Sequence, residues 1–117
     1  MRSSRVFGII RWVLAVLLAL AYSLAALGKL TGAATEQFAG WGYAPWFAML
    51  IGGLELAGGV GLLVPKLTRT AVLGLTGIML GAIYTHVANA EAGQALRPVI
   101  FLALLWTLRW LRGKAAA

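Results

Sequence analysis

The chain has 117 residues, of which 62% are hydrophobic and only 11% are charged, and its formal net charge is +7. A soluble domain of this length has too little interior to bury so much apolar surface, so the composition predicts an integral membrane protein. There is no cysteine, which excludes thiolate metal sites and disulfide chemistry within the chain. We therefore expect an all-α protein: a membrane four-helix bundle that forms one domain over residues 1–117.

Four apolar segments are predicted to form membrane-spanning helices, at about residues 12–30, 46–64, 70–88 and 95–111. Each approaches the roughly 20 residues that a helix needs to cross a bilayer. The first segment follows basic residues, as in a signal peptide, but it is too long for one and is interpreted as a retained helix. A loop is predicted over Ala33–Ala44, and Pro45 suits the first turn of the helix that follows.

The distribution of basic residues predicts the orientation of these spans. With both termini inside (N-in/C-in), Lys29 and Arg97 are the two cations on the outer side, and the other eight of the ten Lys and Arg residues lie on the inner side. This asymmetry fits the positive-inside rule and favours an even number of spans. The eight inner cations are Arg2, Arg5, Arg11, Lys66, Arg69, Arg109, Arg112 and Lys114.

Glu55 is the one acidic residue inside a long apolar segment. A carboxyl group at membrane depth costs several kcal/mol unless it is protonated, paired or hydrated. On a helix it shares one face with Ala48, Gly52 and Gly59, and this face would let a neighbouring helix approach closely. Two interpretations remain open: a structural carboxyl that pairs with Lys29, or a functional acid.

The third segment carries a similar row of small residues. Gly74, Gly77, Gly81 and Ala88 fall on one face of a helix, which we also interpret as a surface for helix packing.

Other polar and aromatic residues gather on the outer half. Each has a simpler alternative role: Lys29 as a helix-end cation that reaches the surface, His86 as an interfacial residue, and Trp41, with Tyr43 and Trp46, as part of an aromatic belt. Because the chain has one histidine and no cysteine, we expect no metal site. The candidate catalytic residues are Glu55, His86 and Lys29, and the candidate cofactor-binding residues are Tyr22, Tyr84 and Trp41.

Several of these motifs occur in an order that resembles a known family. Gly28-Lys29-Leu30 closes the first segment, Gly53-Leu-Glu-Leu-Ala-Gly-Gly59 fills the second, Leu67-Thr68-Arg69 forms the next turn, and His86 lies in the third. From about Arg11 to Leu111 the chain is similar to the DoxX and DoxX-like family of small four-helix membrane proteins. The resemblance implies the fold and draws attention to Lys29, Glu55 and His86.

The family takes its name from a subunit of an archaeal thiosulfate:quinone oxidoreductase, so the resemblance implies a subunit of a quinone-linked membrane oxidoreductase. Quinone is then the expected cofactor, and a membrane or peripheral redox protein is the expected partner. Distant relatives act as chaperones or trafficking factors, which leaves a non-catalytic scaffold as an alternative, and an acid–base enzyme on a lipid-soluble substrate is a third. We expect a multi-pass protein of the cell membrane, of the bacterial inner-membrane type, that contacts lipid but no nucleic acid; homo-oligomerisation remains open.

Overall fold

The computed structural model describes residues 2–116, with side chains from 4 to 114. The described chain is helical and contains no strand, which confirms the all-α prediction. Two short 3₁₀ turns, at Pro65–Leu67 and Ala92–Ala95, precede the last two helices. The α-helices are α1 (Arg2–Leu30), α2 (Thr35–Gly40), α3 (Pro45–Gly61), α4 (Thr68–Ala88) and α5 (Leu96–Ala116).

The four long helices pack side by side, with α1 and α4 each in contact with both α3 and α5. Their shared core is mostly aliphatic, with Tyr22 as its aromatic member, and lies in the half of the molecule that holds the α3–α4 turn. Close packing of such side chains excludes water and stabilises the helix contacts. The largest fully buried side chains are Leu18, Tyr22, Leu62, Val72, Leu75, Leu105 and Leu108.

The contact between α1 and α3 depends on glycines. A Cβ atom placed on Gly52 would lie 2.8 Å from Lys29 Cβ and 3.2 Å from the Ala26 carbonyl oxygen. A Cβ atom on Gly59 would lie 3.1 Å from Tyr22 Cβ. The two backbones are therefore close enough that only glycine fits without displacement. The predicted face of α3 is buried, and Glu55 is buried within it.

The glycine row of α4 does not pack against another helix of the described chain, so it is not a contact within the bundle. A Cβ atom on Gly74, Gly77 or Gly81 would meet no atom of the described chain within 4 Å. Instead α4 buries a different face, which carries Val72, Leu75 and Met79. These side chains remove more surface from solvent than glycines do, and they determine which face of α4 turns inward.

Several helix boundaries differ from the predicted ones, and α1 begins at Arg2 instead of near residue 12. The predicted loop at 33–44 contains the short helix α2, which places Phe38 in the interior. The last helix is longer than predicted and continues to Ala116. Pro45 does begin α3, as its fixed φ angle and missing N–H favour.

Two helical stretches are long and apolar enough to cross a membrane, Ser4–Leu30 and Pro65–Ala88. Helix α3 is also apolar but has 17 residues. Large apolar side chains are exposed along all four long helices; examples are Leu17, Leu24, Trp46, Leu80 and Ile100. Soluble proteins rarely expose so much contiguous apolar surface, so a lipid environment accounts for it better than water does.

Candidate functional site

A buried ion pair joins α1 to α3. Lys29 Nζ lies 2.6 Å from Glu55 Oε1, and Glu55 is only 3% exposed. The close approach at Gly52 makes this pairing geometrically accessible, because it places the stem of Lys29 directly against α3. Apart from this ion pair, Glu55 Oε1 has no hydrogen-bond partner among the described residues. A cation beside a buried carboxylate offsets part of the cost of removing both charges from water.

Tyr22 supplies a second polar group in the same region. Its side chain is almost fully buried, its ring lies 5.2 Å from that of Phe101, and its hydroxyl has no hydrogen-bond partner among the described residues. Buried hydroxyls nearly always have a partner, and leaving one unpaired costs about 1–3 kcal/mol. The hydroxyl of Tyr22 therefore has an unused capacity for a hydrogen bond within the described structure.

A single cavity of about 1180 Å³ connects these groups. All four long helices contribute to it, and α2 covers part of it. The volume is sufficient for a drug-sized molecule, and the walls are mainly apolar with a few polar groups, as in small-molecule sites. Its polar lining residues are Tyr22, Lys29, Gln37, Glu55, Thr85, His86, Gln94 and Arg97, and its aromatic ones are Phe38, Trp41, Tyr43, Phe47 and Phe101.

Glu91 organises the rim of the cavity at the end of α4. Its Oε1 atom lies 2.9 Å from His86 Nδ1 and accepts a hydrogen bond of 3.2 Å from Trp41 Nε1. The indole edge also packs against the imidazole, with ring centroids 5.3 Å apart and planes at 88°. Ala90, with φ of 60°, makes the tight turn that brings Glu91 back toward His86. One carboxylate therefore ties the segment after α2 to the end of α4.

Tyr43 is fixed on the adjoining wall. Its hydroxyl lies 2.8 Å from Thr85 Oγ1, and that oxygen donates its own proton to the Gly81 carbonyl at 2.8 Å. The Thr85 hydroxyl has one proton, so Tyr43 is the donor in the first bond. This chain of bonds holds the phenol ring in place beside Phe47, with centroids 4.9 Å apart.

The structure brings five of the six candidate residues into one cavity: Tyr22, Lys29, Trp41, Glu55 and His86 all line it. Tyr84 does not; it is 70% exposed on the outside of α4. The aromatic group around Trp41 is divided, since Trp41 lines the cavity whereas Trp46 is 65% exposed.

Sequence reasoning missed Glu91 and Tyr43 as parts of this site. Glu91 had one signal in the sequence, because the chain contains only three acidic residues. Its bond to Trp41, fifty positions away, depends on how the segment after α2 folds over the cavity. No local pattern in the sequence specifies that arrangement.

Comparison with known proteins identifies the family. Residues 13–108 match the DoxX-like family. The chain belongs to the DoxX-like family. Membership indicates a small membrane protein, which agrees with the exposed apolar helices. No curated protein and no solved structure matches this DoxX-like chain.

Proposed function

We propose that this DoxX-like protein is the quinone-binding subunit of a membrane oxidoreductase. The observation that supports this best is the buried Tyr22 hydroxyl, which has no partner among the described residues and belongs to a residue that lines the same cavity as Lys29 and Glu55. An apolar cavity with a free hydrogen-bond donor suits a lipid-soluble molecule that carries a carbonyl oxygen.

The proposal includes a membrane placement in which α1, α3, α4 and α5 all cross the bilayer. The exposed apolar residues on each of these helices support it. The positive-inside rule orients both termini toward the cytoplasm, so the cavity lies in the outer half. A ligand that is soluble in the bilayer can then reach the site without crossing an aqueous phase.

Quinone, when bound, supplies the two-electron, two-proton chemistry of the complex. In this proposal Tyr22 donates a hydrogen bond to a quinone carbonyl oxygen, and the aromatic wall formed by Tyr43 and Phe47 packs against the ring. Glu55 exchanges protons with the ligand, and Lys29 stabilises its carboxylate form. His86 connects this region to the outer surface through Glu91. A separate redox protein supplies the electrons, since the sequence contains no cofactor-binding motif.

The test is the affinity of the purified protein for decylubiquinone. Tyr22→Phe removes only the hydroxyl, so the Kd should rise about three- to tenfold, as expected for one lost hydrogen bond. Tyr84→Phe is the matched control, because Tyr84 carries the same group outside the cavity; its Kd should equal that of the wild type. Isothermal titration in detergent measures both. Equal affinities for all three proteins would contradict the quinone site.

A non-catalytic scaffold is the second candidate, and the open glycine face of α4 favours it. A Cβ atom at Gly74, Gly77 or Gly81 meets no atom of the described residues within 4 Å, which leaves room for a helix of another protein. Gly77→Leu would then abolish co-purification of a membrane partner while Tyr22→Phe leaves it intact. Under the quinone proposal, Tyr22→Phe instead weakens quinone binding.

A further inference from the structure

The opposite end of the molecule carries a second pocket, at the C-terminal end of α5. It has a volume of about 600 Å³ and is separate from the large cavity. The Trp106 indole donates a hydrogen bond of 3.0 Å to Thr76 Oγ1 of α4, which fixes one wall. We call it the α5 pocket; its lining residues are Trp106, Arg109, Trp110, Gly113 and Lys114.

Two cations of this pocket are held by aromatic rings. The Arg109 guanidinium carbon lies 5.8 Å from the centroid of the Trp106 ring, and Lys114 Nζ lies 5.0 Å from that of Trp110. Cation–π contacts of this kind restrict the cation without neutralising it. The two charges are therefore positioned in advance for an anion.

No side-chain carboxylate of the described residues pairs with these cations. The sequence has ten Lys and Arg residues but three acidic ones. Of those three, Glu55 pairs with Lys29 and Glu91 with His86, while Glu36 lies in α2, on the side of the large cavity. Among the described side chains, neither Arg109 nor Lys114 forms an ion pair. The described side chains therefore supply no countercharge to either cation.

The neighbouring Arg112 has a structural role, in contrast to Arg109 and Lys114. It donates hydrogen bonds to the Leu62 carbonyl oxygen and to Thr68 Oγ1, and it lies 5.3 Å from the centroid of the Trp12 ring. Burial, and then the positive charge of Arg11, lower the pKa of its guanidinium. Arg112 thus joins α1, α5 and the α3–α4 turn, whereas Arg109 and Lys114 make no comparable bonds within the described chain.

We propose that the α5 pocket binds the phosphate of an anionic phospholipid. A guanidinium and an ammonium are suited to phosphate oxygens, and tryptophan favours the headgroup level of a bilayer. An apolar seam leads away from the pocket: Leu73 and Leu80, one turn to either side of Thr76, are both exposed, as is Val99 on α5. These side chains provide a surface for the acyl chains. The basic end of the molecule would face the cytoplasmic leaflet, where anionic lipids concentrate.

Native mass spectrometry of the full chain in detergent, titrated with phosphatidylglycerol, tests this site. Binding of phosphatidylglycerol is compared with that of phosphatidylcholine with the same acyl chains and with that of inorganic phosphate. The wild type should bind phosphatidylglycerol preferentially. The double variant Arg109→Gln/Lys114→Gln should weaken that binding by about tenfold or more, because each basic residue near an anionic surface contributes about 1 kcal/mol.

The matched control is Lys66→Gln/Arg69→Gln, which removes the same charge from exposed positions at the same end of the molecule. Its phosphatidylglycerol affinity should stay within about threefold of the wild type, as expected when a charge is lost outside the pocket. Thermal unfolding without added lipid verifies that both variants are folded. Equal losses of phosphatidylglycerol affinity in the two variants would show that general electrostatic attraction, and not the α5 pocket, binds the lipid. Equal binding of phosphatidylcholine, or binding of inorganic phosphate at the affinity of the lipid, would also overturn the proposal.

Discussion

Helices α3 and α4 carry similar rows of glycine, yet the two rows have opposite surroundings. A Cβ atom on Gly52 or Gly59 of α3 would lie about 3 Å from atoms of α1. One on Gly74 or Gly77 of α4 would find no described atom within 4 Å. The first row is a helix contact and the second is the wall of a cavity. Glycine on a helix face therefore indicates that something approaches the backbone closely, or that space is left open there, and the row alone does not distinguish the two.

The main chemical difference between the two rows is Glu55. It lies within the α3 row and pairs with Lys29 of α1, so burial of that face also satisfies a charge. The α4 row contains no such group, and α4 instead buries Leu75, an apolar residue on another face. A polar residue that requires a partner thus fixes the helix orientation, and the glycines make that orientation sterically accessible.

Removing the partner of Glu55 should have the largest effect on the α3 contact. Lys29→Met keeps most of the side-chain volume but leaves the carboxyl group buried without its cation. Breaking a buried pair in this way should lower the free energy of unfolding by about 3 kcal/mol. The double variant Lys29→Met/Glu55→Leu should recover most of the loss, because it leaves no charge unpaired. Unfolding by SDS in mixed micelles measures both; a single variant as stable as wild type would show that the pair does not hold α1 to α3.

A large side chain in the α3 row should have the next largest effect. Gly59→Leu would push Tyr22 and the α1 backbone away, and overpacking of this kind costs about 1–3 kcal/mol. Leu63→Ala is the comparison, since Leu63 is partly exposed beyond the end of α3 and its truncation should cost less than about 1 kcal/mol. The same unfolding assay ranks the two. A Gly59→Leu protein more stable than Leu63→Ala would mean that α3 and α1 can separate freely.

The smallest effects should come from matched alanine substitutions in the two rows. Gly52→Ala places a Cβ atom 2.8 Å from Lys29 Cβ and should destabilise the protein by about 1 kcal/mol. Gly77→Ala enters open space and should stabilise it by up to about 1 kcal/mol, through the higher helix propensity of alanine. Opposite signs in thermal unfolding would support the distinction between the rows. A stability change of the same sign in both variants would contradict the distinction between the rows.

The sequence predicted the parts of the molecule that follow from local chemistry. Apolar length and Pro45 located α3, and the spacing of Gly52, Glu55 and Gly59 identified its buried face. The cost of a buried charge pointed to Lys29 as the partner. Each of these inferences rests on the geometry of one helix, or on a requirement that a single side chain imposes.

Inferences that required knowledge of how helices pack were less successful. The α4 glycines were assigned to a contact because the pattern of α3 was applied to them, although their surroundings depend on where α3 and α5 approach. Helix α2 was missed because its six residues are too short for a periodic pattern and lie next to Gly40 and Gly42. The link from Trp41 to Glu91 depends on that missed helix.

The open wall of α4 also has a consequence for how proteins of this design diverge. In most binding sites, reshaping the pocket disturbs side chains that also hold the fold together. At Gly74, Gly77 and Gly81, which line the cavity, an added Cβ atom comes within 4 Å of no described atom outside the adjacent backbone of α4. In the proposed site, substitutions at these positions would change the size and polarity of the ligand that fits while the helix contacts stay the same. Such a wall lets one scaffold acquire different specificities by single substitutions.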